Sequence, residues 1–222
     1  MLDHHWRLYP GIDVAWRPSE HWKWFASWNK ALRVPTYTDL YSNNRAVRGD
    51  INLKPERNST FKVGAQFHQK SLTANSQLFY CRGRNMIDWV YETTNDTQYH
   101  ALNIGKLNNM GASFDVTWQW KSINCKAGYA YIHQHHSTAQ PIYKSLYALE
   151  YLRHKITSQI THPIVAKLNA TWTARWQQRM NGYHPYWKLD GKVQWNEKKW
   201  QVYVTPELYA DIVENGIFLS GG

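Results

Sequence analysis

The 222 residues include 13 Trp and 15 Tyr but only 6 Phe, and 26 Lys and Arg against 16 Asp and Glu give a formal net charge of +10. Mean hydropathy is −0.66, and no run approaches the ~18 apolar residues of a membrane-crossing helix. That excludes a helical membrane protein but not a barrel, whose strands are apolar only at alternate residues. The cations are scattered, with no basic block or groove-reading helix, so nucleic acid is not an expected partner.

Met1 to Pro10 shows no basic segment followed by an apolar one. No export signal is expected at this start, and the chain is expected to be part of a longer one. Period-two alternation then predicts strands at 10–17 and 22–32, the second with Trp22, Trp24, Ala26 and Trp28 on one face. Further strands are predicted at 59–69, 72–91 and 100–120. In the last of these Ala112, Phe114, Val116, Trp118 and Trp120 oppose Ser113, Asp115, Thr117 and Gln119. After 123–135 and 149–161 comes the clearest alternation, at 164–178, with Ile164, Ala166, Leu168, Ala170, Trp172, Ala174 and Trp176 together. The segments 185–195 and 200–206 complete ten strands, and an eleventh starts near Gly216.

Several of these strands run longer than the usual five or six residues, and suit a tilted bilayer crossing of about nine to eleven. Their connections alternate in length. Arg17 to His21, Lys70-Ser71, Lys121-Ser122, His162-Pro163 and Asn196 to Lys199 are short, whereas 33–57, 92–99, 136–148, 179–184 and 207–215 are long. Tight turns at one rim and long loops at the other are the habit of transmembrane barrels. The expected fold is therefore all-β, an antiparallel transmembrane β-barrel wall.

No GxSxG, HExxH, GxxxxGK[ST] or GxGxxG spacing occurs, so no catalytic group and no cofactor is expected. Cys81 and Cys125 have no CxxC partner and read as free packing residues. His133 and His135 share a strand face with His136 adjacent, but no Cys or carboxylate lies nearby in sequence to complete a metal site. Asp115, Lys167, Arg175, Asp190 and Lys192 fall opposite the aromatic face and are expected to line a hydrated barrel interior.

Between residues 22 and 56 the chain reads WKWFASWNKALR, then Val34-Pro35-Thr36-Tyr37-Thr38-Asp39-Leu40-Tyr41, and later Asn52-Leu53-Lys54-Pro55-Glu56. These words resemble the strand, RxPTxxxLY loop and NLKPE segment of TonB-dependent outer-membrane receptors. Asn85 to Val90, Ala101 to Gly111 and Trp200 to Ile212 resemble further barrel segments of that family, in the same order, with Glu207 where the family usually has Asn.

The resemblance implies that residues 1–222 are the C-terminal portion of a barrel of about 22 strands, with a plug domain and N-terminal strands absent from this chain. It implies the outer membrane of a Gram-negative bacterium, contact with membrane lipid and a TonB energy-transducing partner. The implied activity is uptake of a scarce nutrient such as an iron-siderophore, haem or cobalamin, and not an enzymatic one.

In the 33–57 loop Tyr37, Tyr41, Asn43, Asn44, Arg45 and Arg48 are the candidate contacts, because tyrosines offer stacking area and arginines attract anionic chelates. Alternatively Pro35, Asp39, Leu40 and Tyr41 fold that loop back onto the wall. The competing readings are a smaller closed barrel, such as an omptin-like protease or a porin, and a soluble all-β carbohydrate-binding module.

Overall fold

The computed structural model describes residues 8–138, 141–146, 149, 151–180, 184–197 and 200–205, and the backbone of 207–213 and 216–221. In chain order its elements are β1 (Gly11–Trp16), β2 (Trp22–Arg33), the helix α1 (Tyr37–Tyr41), β3 (Val47–Arg48), β4 (Glu56–Gln69), β5 (Leu72–Arg84), β6 (Ile87–Tyr91) and β7 (Tyr99–Asn103). Then follow β8 (Lys106–Trp120), β9 (Ile123–Ser137), β10 (Lys144–Ser145), β11 (Leu152–Val165), β12 (Leu168–Arg179), β13 (Tyr186–Asn196), β14 (Gln201–Val204), β15 (Glu207–Val213) and β16 (Gly216–Gly221).

The long strands form one antiparallel sheet in the order β1-β2-β4-β5-β8-β9-β11-β12-β13-β15-β16. Each neighbour follows its partner along the chain, as short turns dictate. The Lys70-Ser71 and Lys121-Ser122 turns hold their lysines at φ 36° and 51°, the positive values that tight hairpins require. β14 and β15 pair successive stretches of β13 and act as one interrupted wall strand. The sheet is open: its hydrogen-bonded path ends at β1 and β16.

Register sorts the side chains onto two faces. One row runs Trp24, Ala65, Ser76, Phe114, Tyr129, Ile156, Trp176, Trp187 across eight strands. The adjacent row, on the opposite face, runs Lys23, Gln66, Asn75, Asp115, Gly128, Thr157, Arg175, Lys188. The aromatic face is the more exposed one: Trp22, Trp24 and Ala26 are exposed while Lys23, Phe25 and Ser27 are half-buried. Trp16, Trp120 and Trp172 are 64%, 52% and 55% exposed. Leaving such a side chain in water forgoes about 1.5–3 kcal/mol of burial, so this face calls for an apolar solvent. No helix among the described residues is long and apolar enough to cross a membrane, which does not bear on crossing by strands.

Three expectations are corrected. The segments 72–91 and 100–120 are not single strands. Both break at one level, where Asn85 (φ 54°) and Gly105 (φ 87°) turn the backbone. The Asn85 N–H donates to the Gly105 carbonyl at 2.8 Å, and Ile104 N–H to Met86 at 2.7 Å. The expected His162-Pro163 turn instead belongs to β11, which shifts register between Pro163 and Val165 before turning at Ala166-Lys167; proline has no N–H for the ladder. The expected 207–215 loop begins as strand β15, with Asp211 to Glu207 paired to β13; residues 214 and 215 lie outside the described ones.

Beyond the break, β10-β6-β7-β3 form a second, four-stranded sheet. Among the described residues most of the buried apolar ones sit in or under it: Leu53, Ile87, Val90, Ala101, Ile104 and Leu107. A Cβ at Gly105 would stand 2.5 Å from the Ser137 carbonyl oxygen at a φ that side chains avoid. Gly105→Ala is therefore expected to cost about 1–2 kcal/mol, measured as a lower denaturant midpoint for the detergent-held protein.

Candidate functional site at the long-loop rim

The four strands of the small sheet come from three connections: β3 from 34–55, β6 and β7 from 85–105, and β10 from 138–151. Its anchor is Arg33 at the end of β2. The guanidinium places Nη2 3.0 Å from Glu56 Oε1 and Nη1 3.3 Å from Asp39 Oδ2. Glu56 is buried, and its Oε1 also accepts the Ile87 N–H at 2.8 Å, so one carboxylate ties the first connection to the second. Asp39 closes the capping box of α1: its carboxylate accepts Thr36 N–H at 2.9 Å, and its own N–H donates to Thr36 Oγ1 at 3.1 Å. Gly49 must be small, because a Cβ there would lie 2.6 Å from the Asp39 carbonyl oxygen.

Leu40 and Trp89 pack on the buried cluster Leu53, Ile87 and Ala101. Asn103 Nδ2 donates to the Lys54 and Asn85 carbonyls at 2.9 and 2.8 Å, and its Oδ1 accepts Lys54 N–H at 2.8 Å. The third connection is held by Ser145, whose hydroxyl donates to the buried Asp88 carboxylate and accepts the Leu149 N–H at 3.0 Å. Three loops thereby become one platform.

On it, Tyr37 and Tyr41 are 80% and 57% exposed with ring centroids 4.9 Å apart. Arg45 and Arg48 are exposed, with no carboxylate partner among the described residues. Asn43 makes an isolated bridge to Arg48, and Asn44 Oδ1 accepts the N–H groups of Ala46 and Val47 at 2.8 and 3.0 Å, shaping the turn. Asp39 and Leu40 fold the loop onto the wall, whereas Tyr41 stays outside. Sequence reasoning missed Tyr91 and Tyr99, stacked at 4.1 Å, and the exposed Tyr143. Their tyrosine content was the signal, but only the pairing of β6 with β7 and β10 brings them together.

Asp115, Arg175, Asp190 and Lys192 lie on the polar face of the wall. Asn75 Nδ2 donates to Asp115 at 2.7 Å, Arg175 bonds Asp190, with Lys188 Nζ 3.5 Å from the same carboxylate, and Lys192 Nζ stands 4.5 Å over the Tyr203 ring. Lys167 is not within a strand. It occupies the short Ala166-Lys167 turn at the opposite rim and pairs with Glu197 at 2.7 Å. Among the described residues no three His, Cys, Asp or Glu gather as a metal would require. His133 and His135 pair with Met110 and Asn108 on the aromatic side of the sheet, His136 with Leu107 on the other. Cys81 and Cys125 are free thiols.

Residues 3–212 match the family model described as TonB dependent receptor-like, beta-barrel. Among solved structures the chain is similar to the FrpB iron transporter from Neisseria meningitidis, F3-3 variant, with TM-score 0.66 and 17% identity over 97% of this chain and 36% of that one. It is similar also to the copper transporter OprC (TM-score 0.69, 14% identity, 90% and 33% covered). The siderophore receptor PirA from Pseudomonas aeruginosa gives TM-score 0.65 and 14% identity, with 90% and 35% covered. The chain spans about a third of the length of these structures, and at such identities the likeness is one of fold. No curated protein matches it.

Glu56→Gln keeps the side-chain size but weakens both bonds to Oε1; a loss of about 1–3 kcal/mol is expected, read by denaturant unfolding, with faster proteolysis of the 85–105 connection. At the β6–β7 tip, the N–H of Thr93, its hydroxyl, the Glu92 N–H and nearby His100 hold the Asp96 carboxyl below its ordinary range. Its stabilising effect is present above the ordinary carboxylate pKa of about 4 and fades only as pH falls through the lower folded value. Carbon NMR of Asp96 is expected to show a midpoint below that of an unstructured aspartate.

Proposed function

We propose an import role from one premise: the chain belongs to the TonB-dependent receptor β-barrel family. It supplies the C-terminal part of the wall of an outer-membrane receptor in a Gram-negative bacterium, and further strands and a plug domain complete that receptor. The open edges at β1 and β16 support this reading, since strands in hydrocarbon need partners on both sides. Membrane lipid meets the aromatic face. Asp115, Arg175, Asp190 and Lys192 keep the lumen hydrated, and Lys167 sits at the short-turn rim.

The observation that carries the ligand side is the platform itself, three connections locked together and topped by exposed Tyr37, Tyr41, Arg45 and Arg48. Flat aromatic area and guanidinium groups with no carboxylate partner among the described residues suit an anionic metal chelate, with Asn43 and Asn44 setting the loop that presents them. An iron-siderophore is favoured over haem or cobalamin, in keeping with the iron, copper and siderophore proteins of similar fold. The TonB system then displaces the plug to admit the ligand. The reading makes the chain a transporter component and not an enzyme.

The test is uptake by cells that lack their own chelate receptors and express the intact receptor. One of ferric catecholate, ferric hydroxamate, haem, a copper complex or cobalamin is expected to accumulate, and only when TonB is present. Replacing Arg45 and Arg48 together by Ala is expected to raise the half-saturating concentration about tenfold, the equivalent of 1.4 kcal/mol. Accumulation of none of the five, or equal accumulation without TonB, would sink the import role.

A further inference from the structure

The aromatic face carries a second feature near the long-loop rim. Cross-strand register sets Arg57 of β4 opposite Arg84 of β5, and Arg84 opposite Lys106 of β8. Two positions nearer the wall's centre, Lys30 and Arg82 flank Ser59. All five cations are exposed and lie on the same side of the sheet as Trp28, Phe61 and Tyr80, which pair one with the next. Among the described residues none of the five has a carboxylate partner, whereas Arg33 and Arg175, elsewhere in the sheet, each have one.

Neighbouring strands are about 4.8 Å apart, and like charges set directly opposite repel. A row of three cations with no acid beside it among the described residues is a place where an anion from outside the chain would relieve that repulsion. Directly beside the row lies an apolar surface. A basic groove of about 810 Å³, lined by Lys30, Arg57, Arg82 and Arg84, shares Trp28, Phe61 and Tyr80 with an apolar groove of about 520 Å³ that continues over Val63 and Leu78. Lys30 Nζ lies 5.4 Å from the Trp28 ring centroid, at the boundary between the two.

We infer that this face binds an anionic, phosphate-bearing membrane lipid, with its headgroup on the Arg57–Arg84–Lys106 row and its acyl chain along the groove past Phe61 and Tyr80. Charge complementarity names the head, and the continuous apolar groove names the tail. A free anion would use only the first, and a neutral lipid only the second. The inference rests on the proposed lipid-facing orientation of the aromatic side, not on which nutrient is imported, so a failed uptake experiment leaves it standing.

The protein, extracted from membranes in a neutral detergent, is offered dioleoyl phosphatidic acid, dioleoyl phosphatidylcholine or inorganic phosphate, and bound lipid is counted by native mass spectrometry. Phosphatidic acid is expected to be retained about tenfold more tightly than phosphatidylcholine, and inorganic phosphate at equal concentration is not expected to displace it. The double variant R57Q/R84Q is expected to retain the two lipids equally. Should that variant not fold, salt titration of the unaltered protein decides, because headgroup attraction to exposed cations is screened at high ionic strength. A preference that survives high salt unchanged overturns the inference. So does equal retention of the two lipids by the unaltered protein, or displacement by inorganic phosphate, which marks a free-anion site.

Discussion

A backbone N–H or C=O stranded in hydrocarbon costs several kcal/mol, and the main sheet is arranged so that each strand hands its polar groups to the next. That demand favours neighbour-to-neighbour pairing, tight turns at Lys70-Ser71 and Lys121-Ser122, and strands as long as the fifteen residues of β8 and β9. It also explains where proline is tolerated: Pro163 stands near the short-turn rim, where β11 already shifts register. With the backbone satisfied inside the sheet, the side chains are left to meet two different solvents. The aromatic row around Trp24 and Phe114 and the polar row around Lys23 and Asp115 are the outcome.

The rim follows a different logic, because water is available there and buried polar groups can be used as ties. Glu56 receives both the Arg33 guanidinium and the Ile87 N–H, and Asp88 receives Ser145. Each buried carboxylate links one connection to another, and a small apolar cluster of Leu53, Ile87 and Ala101 fills the space between them. Arg45, Arg48, Tyr37 and Tyr41 are then held at the surface on a platform fixed from below, although each of them is itself exposed.

The wall was legible in the sequence because period two is a local signal. Trp22, Trp24, Ala26 and Trp28 announce a strand without reference to anything else, and the unequal connections place the two rims. The coincident breaks at Asn85 and Gly105 were not legible in the same way, since alternation runs on through IDWV beyond the bend and only a positive φ marks the turn. The small sheet was harder still. Its β3–β7 pairing joins Val47 to Tyr99, a contact between short segments far apart in sequence. β15 looked like a loop because its short apolar run has a proline before it and no long alternation within it. Of the candidate contacts, Asn44 owes its place to the turn it builds, which a list of polar residue types cannot reveal.

The fusion of three connections into one platform has a consequence for how this surface can change. Residues 39, 49 and 50 are tied to one another and to the wall, so lengthening that stretch would pull Leu53 from its cluster and Glu56 from Arg33. The β6–β7 tip is different: Glu92 to Asp96 closes on itself through the Asp96 carboxylate, beyond the last rung of the small sheet. New residues spliced in there would lengthen the hairpin without disturbing what lies beneath. The platform therefore divides its surface into a fixed floor and a replaceable tip. An epitope grafted between Thr93 and Thr97 would be displayed outward while the floor kept its shape.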